Sequence, residues 1–76
     1  MIFLIQYDRK KGRLISFQRF DERDRRIAED ERLELELRLN QEEIKNEVVL
    51  LEAASEEALR QTHRRYFETL RQLSQS

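Results

Sequence analysis

The stretch Ile2-Phe3-Leu4-Ile5-Gln6-Tyr7-Asp8-Arg9-Lys10-Lys11-Gly12-Arg13-Leu14-Ile15-Ser16-Phe17-Gln18-Arg19-Phe20 decides how the rest of the chain is read. Residues 2–7 and 13–20 are rich in β-branched and aromatic side chains, the types that suit a pleated, half-buried surface. Between them lies the only glycine of the protein, Gly12. The spacing predicts a β-hairpin over 2–20, its loop closed by Gly12 at positive φ, where a residue without Cβ meets no clash.

Both alternating sets of the first strand are apolar, Ile2/Leu4 on one side and Phe3/Ile5/Tyr7 on the other. A strand apolar on both sides behaves as a central strand. The run Glu47 to Glu52 repeats this doubly apolar pattern with Val48/Leu50 and Val49/Leu51, and is predicted as the third strand. The first strand is therefore expected in the middle, giving the order 2-1-3.

From Asp21 to about Leu39 there is no glycine or proline, and Glu, Arg, Leu and Ala dominate, which predicts a helix. Asp21 suits its N-cap, Glu22 and Asp24 its first turn, and Asn40 its stop. Residues 33–39 (LELELRL) alternate with period two, as a half-buried strand does, yet leucine and glutamate are weak strand formers, so helix is preferred. Read helically, Ala28, Leu35 and Leu39 make one stripe and Leu33 and Leu37 lie nearly opposite, so this helix is expected to be covered on two sides. Ser55-Glu56-Glu57 reads as a capped helix start. The last helix is predicted over 56–73, with Leu59, Thr62, Tyr66, Leu70 and Leu73 as its apolar stripe.

The fold class expected is α+β: one domain over 1–76 in β-β-α-β-α order, a three-stranded sheet, a right-handed crossover, and both helices packed on one face. That arrangement leaves the other sheet face bare. A contiguous apolar face of that kind is expected to be covered by a second copy or a protein partner, so a homodimer is expected, the alternative being that the first helix or the C-terminal tail wraps round to cover it.

A chain of 76 residues buries only about 60% of the surface its unfolded state exposes. Small domains usually add disulfides, a metal or self-association. With no cysteine and one histidine, His63, neither a disulfide framework nor a Cys/His zinc site can be assembled. No cofactor or metal is expected. The apolar run at residues 1–5 is too short for a membrane span and lacks the flanks of a signal peptide, so a soluble, cytoplasmic protein is expected.

The 15 Lys+Arg and 16 Asp+Glu nearly cancel, but they are segregated. Residues 1–26 hold eight basic and four acidic groups, residues 27–58 three and eleven, and residues 59–76 four and one. Two basic clusters stand out. Arg9, Lys10, Lys11 and Arg13 crowd the hairpin tip, where they suit phosphate contacts but equally a solvated turn that keeps a strand edge from aggregating. Arg60, His63, Arg64 and Arg65 gather on the last helix, where His63 suits a general base and the arginines a phosphoryl oxyanion, although a productive site needs a second group oriented against the histidine.

The ordinary role for His63 is a half-buried packing or capping residue. The acidic middle lacks the alternating Asp/Asn and central glycine of a calcium loop, and there is no Gly-rich phosphate loop or nucleophile elbow. The expectation is a non-catalytic protein-interaction or regulatory module. Its rival is a nucleic-acid-binding or nucleolytic domain built from the two basic clusters.

Overall fold

The computed structural model describes residues 1–67. Two strands, β1 (Ile2–Asp8) and β2 (Arg13–Phe20), form the expected hairpin, followed by a 3-10 turn at Glu22–Asp24 and helix α1 (Arg25–Gln41). Strand β3 (Glu47–Glu52), helix α2 (Glu56–Thr62) and a second 3-10 turn at Arg64–Tyr66 complete the order. The sheet order is β2-β1-β3, and β1 is antiparallel to both neighbours. The doubly apolar β1 does lie in the centre, and β2 and β3, parallel to each other, are joined across it by α1.

At the hairpin tip Gly12 takes φ 63°, and the Asp8 carboxylate accepts the Lys11 backbone N–H at 3.0 Å. The register slips between Gln6/Ser16 and Tyr7/Leu14, which makes Ile15 the extra residue of a bulge and turns its side chain outward.

The helices pack on opposite faces of the sheet, which corrects the expectation that both share one. Phe3, Ile5 and Tyr7 pack with Leu59 of α2 and Tyr66, and Leu14, Phe17, Val49 and Leu51 join them from the flanking strands. Phe3 stacks on Phe17 at 5.5 Å between centroids, and Tyr7 meets Tyr66 edge-on at 5.2 Å. On the other face Ile2 and Leu4 are buried beneath α1, whose inward residues are Ala28, Leu35 and Leu39. The cause is the double apolarity of β1: each helix offers one apolar stripe, so two apolar strand faces take one helix each. No bare sheet face remains to demand a second copy.

The segment with period two is helix. Only the Ala28, Leu35 and Leu39 stripe is covered, and Leu33 and Leu37 are each 55% exposed, so the expected cover on two sides is absent among the described residues. Asp21 caps the 3-10 turn through its backbone carbonyl and not its side chain, while Arg25 pairs with Glu22 and with Glu52 of β3.

The helix passes the expected stop at Asn40. It ends in a Schellman arrangement: the Ile44 N–H donates to the Leu39 carbonyl at 2.9 Å and the Glu43 N–H to the Asn40 carbonyl at 3.2 Å. Glu43 therefore sits at φ 57°, where a Cβ is disfavoured. Replacing Glu43 by glycine is expected to raise stability by about 0.5–1 kcal/mol, read as a higher urea midpoint at unchanged slope.

Ser55 caps α2 as expected, its hydroxyl accepting the Ala58 N–H at 3.1 Å. The helix stops eleven residues short of the predicted end at 73, at Thr62. There the Thr62 hydroxyl donates back to the carbonyls of Ala58 and Leu59, an alternative to continuing the helix, and His63 leaves helical geometry at φ −127°, ψ 51°. Thr62 is exposed and not part of the buried stripe. The stripe positions Leu70 and Leu73 lie outside the described residues.

Candidate functional site

Antiparallel pairing places Tyr7, at the end of β1, opposite Glu47, at the start of β3. The hairpin tip therefore projects from the same end of the sheet that receives the 3-10 turn Arg64–Tyr66. Two basic clusters distant in sequence meet there. Arg65 forms an ion pair with Glu47 at 2.9 Å and lies over the Tyr66 ring at 4.3 Å and the Tyr7 ring at 5.9 Å. Arg9, from the hairpin tip, acts electrostatically on the same carboxylate.

The Tyr66 hydroxyl donates to Glu47 and accepts from the Arg65 guanidinium at 2.7 Å. That hydroxyl, assisted by Arg65 and opposed by partial burial, holds the Glu47 carboxyl below its ordinary value. Burial, followed by the hydrogen bond to Glu47 and then its charge, pushes the Tyr66 phenol up. The linkage signs follow. Glu47, depressed in the folded state, contributes stability above about pH 4.5 that is lost as pH falls through its lower folded value. Tyr66, raised, contributes stability below about pH 10 that is lost as pH rises through its higher folded value. Glu47→Gln is expected to flatten the acid limb of stability against pH, measured by urea unfolding at successive pH values.

A cleft of about 500 Å³ opens between the hairpin tip and the 43–46 loop, lined by Asp8, Arg9, Lys10, Lys11, Lys45 and Asn46 among others. Lys10, Lys11 and Arg13 are exposed. Arg60 stands apart from this end: it pairs with Glu56 and lies over the Phe67 ring at 4.4 Å. Arg64 is exposed on the 3-10 turn beside Arg65.

His63 contacts the Thr62 hydroxyl through Nδ1 at 2.9 Å and stacks on Tyr66 at 6.3 Å. Among the described residues no group of three His, Asp or Glu side chains converges on a metal position. Exposed cationic side chains gather at one end of the sheet. Among the described residues no acid–base pair is oriented there.

The structure thus places Arg9, Lys10 and Lys11 along one cleft with Lys45, with Arg9 also acting on the Glu47 carboxylate that pairs with Arg65, and leaves Arg60 outside. Lys45 and Glu47 complete this end but were not singled out from sequence. Their only signal there is the strand register, which composition does not reveal.

A second feature lies along β3. It is an edge strand, with Val48, Val49, Leu50 and Leu51 half-buried on its two faces and charge only at its ends. The opposite edge, β2, carries a bulge and exposes Arg13 and Arg19. These devices discourage edge-to-edge pairing, and β3 has none of them. The chain matches no protein-family model, no curated protein and no solved structure.

Proposed function

We propose that the chain is a non-catalytic protein-interaction or regulatory module acting as a homodimer in the cytoplasm. The observation that supports this reading is the apolar edge of β3, which among the described residues is open and undefended. An edge strand presents unpaired N–H and C=O groups in a row, and the natural complement is another strand. A chain without cysteine also suits a reducing compartment. Among the described residues, no helix is long and apolar enough to cross a membrane. Light scattering of the full chain at micromolar concentration tests the reading: a mass near twice 9.4 kDa supports it, and 9.4 kDa at every concentration overturns it.

A second reading is favoured by one observation: Arg9, Lys10 and Lys11 line one cleft with Lys45 at the end of the sheet where Arg65 pairs with Glu47. In this reading the basic end grips nucleic-acid phosphates. Electrophoretic shift with RNA and DNA decides it, because phosphate binding weakens steeply as salt rises. Absence of a shift at low salt removes it.

A further inference from the structure

We infer that two copies join through β3 about a two-fold axis at Leu50, extending the sheet across the dimer and setting the two α1 helices side by side. This rests on the homodimer just proposed and specifies how it is built.

The backbone sets the register. Ala53 N–H donates to the Met1 carbonyl at 3.1 Å, so Met1 and Ala53 are a hydrogen-bonded pair of the antiparallel ladder. Such pairs alternate along a ladder, so the amides at Glu47, Val49 and Leu51 face β1. Those of Val48, Leu50 and Glu52 face outward, and among the described residues no strand pairs with them.

A two-fold axis perpendicular to the sheet keeps each face on its own side, so only residues of one face can oppose each other. With Leu50 on the axis, Val48 faces the second copy's Glu52, and about six hydrogen bonds close. Val49 then lies across from Leu51, and neither glutamate of β3 meets another. Each Glu52 keeps its own Arg25 as counterion.

Helix α1 brings a second contact to the interface. It packs over β1 and β3, so with strands about 4.8 Å apart the two α1 axes lie about 10 Å from each other, the distance of packed helices. On the flank toward β3 are Arg25, which reaches Glu52, and Glu36, which lines a groove with Val48. Between them, at spacings of four, three and four, come Glu29 and Arg32. The stripe reads Arg25, Glu29, Arg32, Glu36, alternating in sign.

From Glu52 to Leu50 is about 6.6 Å of strand, or about four to five residues of helix counted from Arg25. The axis therefore crosses α1 between Glu29 and Arg32. Antiparallel, the stripe is complementary to itself: Arg25 faces the second copy's Glu36, and Glu29 its Arg32. A charge pattern that matches its own reverse selects a second copy over an unrelated strand.

Sedimentation equilibrium of the full chain and five variants tests the arrangement. Glu29→Arg and Arg32→Glu are each expected to raise the dimer dissociation constant about tenfold or more, and the double exchange to return it to within about threefold of the parent. Val48→Pro removes an outward N–H without breaking the ladder to β1, and is expected to leave a folded monomer by circular dichroism. Glu36→Arg is expected to weaken the dimer as the other single changes do. A chain that stays dimeric while the single changes have no effect, while the double exchange rescues nothing, or while folded Val48→Pro still dimerises overturns this arrangement but leaves the homodimer standing. A parent that is monomeric throughout overturns the homodimer itself.

Discussion

Phe3→Ala is expected to cost about 3–5 kcal/mol, a large share of what holds a domain of this size folded. Phe3 is fully buried, stacks on Phe17 and belongs to the cluster that ties α2 to the sheet through Leu59. Truncation removes the transfer energy of the ring and leaves a cavity in the larger of the two cores. The scale of the loss decides the outcome. Domains hold about 0.05–0.15 kcal/mol per residue, which for this length amounts to about 4–11 kcal/mol in all. Urea unfolding followed by circular dichroism reads the effect, and a loss under about 1 kcal/mol would show that α2 is not packed on this face.

Leu4→Ala, one residue further along β1, is expected to cost about 2–4 kcal/mol through the opposite core. Leu4 is only 2% exposed, and the cover comes from α1, whose Leu35 lines the same groove. The neighbouring side chains point to opposite faces, so this pair of variants separates the two layers. Had both helices shared one face, a leucine on the other would lie on the surface, and its truncation would change stability by no more than about 0.5 kcal/mol. Comparable losses from Phe3→Ala and Leu4→Ala are the signature of a sheet covered on both sides.

The strands, the place of β1 between its neighbours and the caps at Gly12 and Ser55 were legible in the residues, because each depends on local chemistry. Doubly apolar Ile2–Ile5 announced a central strand by itself. The same residues did not say which helix would cover which face, since a buried strand has no preference between two apolar stripes. The stop at Thr62 was hidden for a different reason. Glu56 to Leu73 keeps helical periodicity, and what ends α2 is the Thr62 hydroxyl turning back on the preceding carbonyls beside a non-helical His63. The Schellman end at Glu43 was equally silent, because glutamate carries no preference for positive φ.

At the candidate site, the separate clusters at 9–13 and 60–65 were visible as charge. Their meeting was not, because Arg9 and Arg65 come together only through the pairing of Tyr7 with Glu47. The outer stripe of α1 shows the same limit in reverse. Its alternating charges read as a solvated helix face until β3 is seen to be an edge and Arg25 is seen beside Glu52.

The claim that β3 is an open edge completed by a second copy is tested most directly by backbone amide exchange at Val48, Leu50 and Glu52, measured from dilute to concentrated protein. These amides are expected to exchange fast in dilute solution and to slow as the dimer forms, while Val49 and Leu51, already bonded to β1, remain protected throughout. Exchange at the three outward positions that does not change with concentration, whether fast or slow, contradicts it.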